Sequence, residues 1–476
     1  MNKKNILKIS LGLFLTVFVA SCSKDTMEDI NKDKNNPNDV PARFVVTDAI
    51  VSSAFSVTGS DYAFYASVYM EHNVGIFGQM YNAEQRIAEP YLSSTYNNTW
   101  NAVYTNLWAL KTVIDKCSPG GAEEGNFQTL AVAQILSAYN LAIQTDLMGD
   151  IPWSEALQPG VIFQPKLDKQ EAIYADVMKF LDEAILNLEK TTTFASLGKQ
   201  DLLFEGNSDK WKKFAYGLRA RYKMRLSHKA PKYQEVIDDV NKSFANASEA
   251  ASFKFNGSTT VNPFYKFYTD RKYFGASTSL NSKLVARNDP RNTKFFTPFP
   301  GKPALLAPNG NPEQVQSVYS ISGLMSASAP INLLSFHELQ FLKAEANARL
   351  NNLPAALVAL NTGVQAAFVK VGLTSAAADT YFTANVVPLF AANPLKEIAV
   401  QKYLSFYEDE AIESYSDYRR LKAMGNGFID LANTGAFPLR YTYGSSDVTT
   451  NNNVTTAYGD GQYVKTENVW WAGGTR

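Results

Sequence analysis

Glu338, Phe341, Leu342, Ala344, Glu345, Ala346 and Leu350, then Asn351-Asn352-Leu353-Pro354, then Ala355, Ala356, Leu357, Leu360 and Asn361: this order of side chains within residues 335–369 decides the fold class. The first group recurs every three or four residues, which is one face of a helix. Asn351 to Pro354 makes the turn, with Pro at a helix's first position, where its missing N–H costs nothing. Ala355 onward opens a second helix. Small residues on the facing sides let two backbones come close, which is how tetratricopeptide-type pairs are built. No clean period of about 34 residues extends the pattern, so the expectation is degenerate helix pairs, clearest at 335–369.

Working outward, the same spacing runs through Tyr96, Trp100, Val103, Tyr104, Leu107, Trp108, Lys111 and Ile114, with Trp100 and Trp108 expected in the core. It returns in Leu130 to Leu147, Ala172 to Leu188, Trp211 to Leu226, Leu333 to Leu350, Ala355 to Phe368 and Ile398 to Leu421. Strand-like alternation is scarce, so the expected architecture is mainly α. Two stretches break the pattern. Residues 246–332 mix Gly, Pro, Ser and aromatics, and residues 425–476 hold Gly, Asn, Thr and Tyr with a Trp470-Trp471 pair. Long irregular insertions in a helical scaffold are where function usually sits.

At 45% hydrophobic and 19% charged, the 476 residues describe a folded chain. Forty-five Lys plus Arg balance forty-five Asp plus Glu, which argues against a nucleic-acid partner, since those binders carry a basic excess to neutralise phosphates. Two Cys and three His exclude a disulfide scaffold and argue against a Cys/His metal cluster.

Lys3, Lys4 and Lys8 precede an apolar run from Ile9 to Ala20, a secretory signal too short to span a membrane. The run ends Val19-Ala20-Ser21-Cys22, which resembles the lipobox of bacterial lipoproteins. That resemblance implies removal of residues 1–21 and a lipid on Cys22. Ser23 to Asp29, polar and acidic, resembles the surface-export signal of Bacteroidetes lipoproteins. Residues 22–41 then read as the lipidated Cys and a polar tether, and 42–476 as a single helical domain, anchored rather than spanning. Inside the tether Asp29, Asn31, Asp33 and Asn35 open a calcium-loop pattern, but Lys34 stands where Gly is needed and Val40 where Glu is needed, so a solvated linker is the reading. Cys117, the other thiol, is expected to be a small buried apolar residue.

Several further motifs follow in order. Asn35-Asn36-Pro37-Asn38 opens the chain proper, and Thr145 to Ala156 contains Gly149-Asp150-Ile151-Pro152. Trp211-Lys212-Lys213-Phe214-Ala215 leads to Arg219, Arg221 and Arg225. Asn288-Asp289-Pro290-Arg291, the acidic Ala-rich stretch Glu338 to Ala346, and Glu397 to Arg420 complete the series. Together with the lipobox these resemble the SusD/RagB family of nutrient-binding outer-membrane lipoproteins. Phe437-Pro438-Leu439-Arg440-Tyr441 only partly resembles the family's Pro-Arg-Arg-aromatic-Pro ending. The resemblance implies a SusD-like scaffold of tetratricopeptide-like helix pairs whose long loop insertions form the ligand face. It also implies a SusC-type TonB-dependent transporter as partner, a lipid anchor in the outer membrane, and exposure to the cell exterior.

Most of these motifs read as architecture. Gly149 takes a tight turn, Pro152 ends it and Asp150 caps backbone N–H groups. Arg219, Arg221 and Arg225 are expected to pair with Glu345, Glu397 or Asp417, and Glu408, Asp409, Glu410 and Glu413 to form a solvated helix face. Arg291 is expected to bond backbone or a carboxylate within its turn. No nucleophile elbow, His-Glu-x-x-His or phosphate loop occurs, and His72, His228 and His337 are scattered, so no catalytic residue, cofactor or metal is expected. Sugar binding needs flat aromatic rings beside hydrogen-bonding side chains. Two loops supply that mixture. Asn73 to Tyr91 offers Phe77, Gln79, Tyr81, Asn82 and Arg86, and Phe264 to Phe274 offers Tyr265, Phe267, Tyr268, Asp270, Arg271 and Tyr273. The expected ligand contacts are Tyr81, Asn82, Arg86, Tyr265, Tyr268, Asp270, Arg271 and Tyr273. The expected function is capture of a nutrient oligosaccharide for the transporter; peptide binding on the same architecture and a surface glycoside hydrolase are the alternatives.

Overall fold

The computed structural model describes residues 40–476, and the 335–369 stretch shows how it is built. Ser335 caps a helix by accepting from the Glu338 amide at 3.1 Å, leaving Phe336–Arg349 helical. After the turn comes Leu353–Lys370, with Pro354 in its first turn. Gly363 lies so close to the Phe341 ring that a Cβ there would sit 3.0 Å from it. Phe341, Ala344, Leu360, Val364 and Phe368 form a core of their own between the pair. Leu353–Lys370 is also long and apolar enough to cross a membrane by length and composition, and one of its faces, with Leu360, Val364 and Phe368, is packed in this core.

In chain order the helices are α1 (Ala42–Ser52), α2 (Asp61–Tyr69), α3 (Gly78–Gln85), α4 (Asn97–Cys117), α5 (Phe127–Met148), α6 (Gln170–Leu188), α7 (Ser208–Arg225), α8 (Tyr233–Lys242), α9 (Pro263–Arg271) and α10 (Thr278–Val285). After the short α11 (Asn292–Phe295) come α12 (Phe336–Arg349), α13 (Leu353–Lys370), α14 (Ser375–Tyr381), α15 (Val387–Ala392), α16 (Pro394–Ser405), α17 (Ala411–Ala423), α18 (Ser445–Thr450) and α19 (Asn452–Tyr458). Neighbours in sequence pack as pairs: α4 on α5, α5 on α6, α7 on α8, and α12 on α13. The strands are four isolated antiparallel pairs. They join β1 (Asn73–Gly75) to β5 (Phe274–Ala276), β2 (Ile151–Pro152) to β3 (Leu167–Asp168), β4 (Ala251–Phe253) to β8 (Ile331–Leu334), and β6 (Phe296–Thr297) to β7 (Ile321–Ser322). The mainly α expectation therefore holds, and Ala42–Arg476 form one compact unit.

Helix α5 is the axis. Every residue from Thr129 to Met148 is buried, so its polar side chains must find partners inside. Asn140 donates to Ser53 Oγ at 2.8 Å, and the Tyr62 hydroxyl donates to Gln144 Oε1 at 2.8 Å. Gly149 ends the helix at φ +84°, a conformation that favours glycine. Asp150 then accepts from the Gln170 amide at 2.9 Å and from Lys169 Nζ at 2.8 Å, capping α6 rather than its own turn.

The arginines of α7 do form ion pairs, but with partners other than those expected. Arg221 grips Glu338 through Nε at 2.7 Å and Nη2 at 2.5 Å, and reaches Glu413 at 3.4 Å. Arg225 bonds Glu413 and lies 3.3 Å from Asp146, while Arg219 pairs with Asp182 and Asp239. Glu345 belongs instead to Arg420 (2.6 Å) and Arg349 (2.8 Å), Asp417 to Arg420 and Lys402, and Glu397 to Arg287. Arg291 bonds Asp289 as its turn implies, and also reaches Gln401 at 2.7 Å. These joints tie α7, α12, α16 and α17 together.

The acidic run is corrected by the same network. Ile398 to Leu421 is two helices, broken where Glu408 adopts φ +82°. Its carboxylates turn inward. Glu410 meets His337 at 2.6 Å and Lys370 at 3.5 Å, Asp409 bonds Lys370, and Glu413 serves both Arg221 and Arg225. Burial opposes ionisation of Glu410, but His337 and Lys370 outweigh it and hold the group at about 2. Trp100 is buried as expected and donates to Asp447 at 3.0 Å, whereas Trp108 is 43% exposed. Cys117 is buried.

Candidate functional site

The two aromatic-rich stretches, nearly 200 residues apart in sequence, meet in space. Strand β1 pairs with β5 in the register Asn73↔Ala276, Val74↔Gly275 and Gly75↔Phe274, and the Ile76 amide donates to Tyr273 O at 2.8 Å. Neither stretch is the loop that its sequence suggests. Phe264 to Arg271 lies in α9, which starts because the Asn262 side chain accepts from the Tyr265 amide and Pro263 occupies the first turn. Lys272 ends α9 in the left-handed region at φ +54°, and Tyr273 follows directly into β5. Gly78 to Gln85 is likewise helical, closed by Arg86 at φ +54°. The interleaving of charge with aromatics hides a helix here because both faces of α9 are occupied: Phe264 and Tyr268 inward, Lys266, Asp270 and Arg271 outward.

The aromatics form two layers. Phe64, Phe264 and Phe274 are buried, with Phe264 stacked on Phe274 at 4.9 Å and edge-on to Phe64 at 5.1 Å. Over them lie the half-buried rings of Phe267, 4.6 Å from Phe64, Tyr273, 5.9 Å from Phe267, and Phe77, 5.6 Å from Tyr273. Gly78 makes the last approach possible. Its φ is +54°, and a Cβ there would stand 2.6 Å from the Tyr273 ring.

Of the expected contacts, Tyr81, Tyr265 and Tyr273 are half-buried, and Asn82, Asp270 and Arg271 are exposed. Asp270 pairs with Lys266 at 2.8 Å, and Asn82 donates to Glu89 at 3.3 Å. The two others are corrected. Tyr268 is 7% exposed and packs inward, burial pushing its hydroxyl to about 12. Arg86 is 5% exposed, and its Nη1 donates to Asn433 O at 3.2 Å and Gly435 O at 2.6 Å, so it holds a loop. Cys22 and the Asn35-Asn36-Pro37-Asn38 start lie outside the described residues.

Sequence reasoning missed the residues that support this face. Glu71, buried at φ +58°, accepts from the Ala432 amide at 2.8 Å and the Asn433 amide at 2.6 Å. Glu84 on α3, 1% exposed, accepts from the Gly310 amide at 2.5 Å and the Gly75 amide at 3.2 Å. Burial pushes Glu84 up to about 7, against the pull of those two bonds. Glu71, Glu84 and Arg86 thus clamp parts of both loop-rich insertions onto α3. Their one sequence signal is the clustering of three charges around the apolar pattern of 74–83, which a surface helix would show equally well. Among the described residues no group of three or more His, Cys, Asp or Glu is placed to hold a metal ion.

The family model described as SusD-like, starch-binding and associating with the outer membrane, matches residues 34–444. The chain belongs to this SusD-like family. A SusD/RagB family protein from Bacteroides thetaiotaomicron VPI-5482 is similar over 92% of this chain and 100% of its own, with 43% identity and a TM-score of 0.88. A chitin-binding protein matches at 24% identity and a TM-score of 0.72, over 90% of this chain and 99% of its own. A chitin-binding SusD homologue from Flavobacterium johnsoniae matches at 20% identity and a TM-score of 0.72, over 90% and 98%. The last two likenesses are of fold. No curated protein matches the chain.

Proposed function

We propose that the chain is a cell-surface lipoprotein, lipidated at Cys22, that binds a nutrient glycan and passes it to a SusC-type TonB-dependent outer-membrane transporter. The observation that carries this reading is the upper aromatic layer. Phe77, Phe267 and Tyr273 lie half-buried side by side, with Tyr81 and Tyr265 on the same two segments and exposed Gln79, Asn82, Asp270 and Arg271 among them. Rings of this kind cover the apolar face of a pyranose while the amides and charged groups hold its hydroxyls. The chitin-binding relatives and the family's association with starch and the outer membrane support it. The mechanism is binding and hand-over without bond chemistry, a reading supported by the starch- and chitin-binding descriptions of the family model and the relatives.

Calorimetric titration of the purified chain against neutral oligosaccharides, chito- and malto-oligosaccharides included, tests it. Binding that weakens at least tenfold in Tyr273→Ala and Phe77→Ala, while Tyr268→Phe binds as wild type, is the expected result. Affinity unchanged in both aromatic variants would remove the face from the mechanism.

A further inference from the structure

Beyond the aromatic face, β5 leads through Ser277 into α10, and α10 forms one wall of a second concavity. This cleft has a volume of about 620 Å³, within the range of small-ligand sites. Ser279, Ser282, Lys283, Arg287, Asn309 and Lys396 line it, together with Phe428 to Ala432. The cleft and the aromatic face share a support. Asn309 Oδ1 accepts from the Ser277 hydroxyl and the Ser279 amide, both at 2.9 Å, and the next residue, Gly310, donates to Glu84 of α3. Four residue steps of extended chain lead from Tyr273 to Ser277, about 13 Å at strand rise, which an oligosaccharide of a few rings can bridge.

The lining is cationic. Lys283, Arg287 and Lys396 face one acid, the exposed Asp430. Arg287 is neutralised by buried Glu397 at 3.2 Å. Among the described residues Lys283 and Lys396 have no carboxylate within ion-pair distance. Lys283 Nζ donates to Ser279 Oγ at 2.7 Å and stands over the Tyr403 ring at 5.8 Å. Burial lowers its pKa, Arg287 adds to the fall, and Glu71 and Asp430 oppose it. Glu71 accepts from the Ala432 and Asn433 amides, one at each oxygen, and lies beyond ion-pair distance of Lys283. A half-buried ammonium without a contacting acid is a cost to the fold that an incoming anion offsets.

We propose that this cleft is an anion subsite: it takes a carboxylate or sulfate carried by a glycan seated on the aromatic face, with Lys283 as the principal contact and Lys396 at the rim. The proposal rests on the glycan reading of that face and narrows it to acidic saccharides. The test uses the full-length chain purified in detergent, with lysines 13C-methylated and the Lys283 resonance assigned through Lys283→Arg. Trigalacturonate supplies the carboxylate, a sulfated maltotriose, which has no carboxylate, the sulfate, and maltotriose the neutral control. The expected result is that one or both acidic sugars shift the Lys283 resonance and raise its titration midpoint, while maltotriose does neither. Lys283→Met then binds the acidic sugar about tenfold more weakly, the loss of one charge-assisted hydrogen bond, and binds maltotriose as wild type. Which arm responds identifies the anion. A Lys283 resonance unmoved by either acidic sugar, or equal binding of charged and neutral trisaccharides, would overturn the subsite. The glycan reading fails separately, when Tyr273→Ala leaves neutral-sugar binding intact.

Discussion

Glu84 is the support whose chemistry can be weighed most directly. It is buried on α3, and its ordinary value of 4.5 rises to about 7 because burial disfavours the carboxylate. A group whose folded-state value is raised adds stability that is complete below 4.5 and is lost as the pH climbs through 7. The displacement corresponds to about 3 kcal/mol at 1.36 kcal/mol per unit. Glu84→Gln carries no proton to lose. Its amide turns an N–H toward one of the two donors from Gly310 and Gly75, a pH-independent offset of about 1–3 kcal/mol. The difference in unfolding free energy, wild type minus variant, should therefore fall by about 3 kcal/mol between pH 4 and pH 8. Urea unfolding followed by tryptophan fluorescence at half-unit steps reads it. Other buried acids that titrate in this window, Glu408 at about 7 and Asp61 at about 6, are common to both proteins and cancel. Parallel stability curves, separated by a constant offset, would refute the claim that Glu84 is held out of water.

Two further outcomes rest on close approach and on buried charge. Gly78→Ala places a methyl 2.6 Å from the Tyr273 ring and forces a left-handed alanine, costing about 1–2 kcal/mol; calorimetry should show oligosaccharide affinity falling as it does in Tyr273→Ala, and wild-type affinity would show that the Phe77–Tyr273 contact is not needed. Glu413→Ala leaves Arg221 and Arg225 short of a shared partner, so urea unfolding should show a loss of about 3–5 kcal/mol, and a loss under 1 kcal/mol would place that carboxylate in solvent.

The fold was legible wherever one residue type had one physical use. Pro354 after an Asn-Asn turn and Gly149 at a helix end each specify a local geometry that tertiary structure did not override. Helix α9 was not legible because its aromatics serve two masters: Phe264 and Tyr268 face the core, while Phe267 and Tyr265 lie half-buried above it, so no apolar stripe stands out. For the same reason aromatic content marked the two segments that meet but could not sort their members, and Tyr268 went inward. Trp108 shows the converse. It falls on a helical spacing like that of Trp100, yet the core-facing stripe of α4 passes through Leu107 and Leu110 and leaves Trp108 in solvent.

Charge was the least legible property. A run such as Glu408-Asp409-Glu410 with Glu413 looks like a wet helix face, and it would be one if α17 stood alone. It is buried because α7 and α13 bring cations to it, Arg221, Arg225 and Lys370, and α12 brings the His337 ring within hydrogen-bond distance of Glu410. Those cations lie some 40 to 190 residues away in sequence, so no local pattern announces them. A net charge of zero is compatible with either arrangement and decides nothing. Burying these charges divides the labour within the molecule. Directional pairs such as Arg221–Glu338 and Arg420–Glu345 fix how the helices of the scaffold meet, because removing either partner strands a buried charge. The aromatic face hangs from a different and smaller set, Glu71, Glu84 and Arg86, which holds the neighbouring loops mainly through backbone amides and carbonyls. Backbone groups are present whatever side chains a loop carries. Substituting side chains on the face therefore leaves the bonds of both the clamp and the scaffold in place.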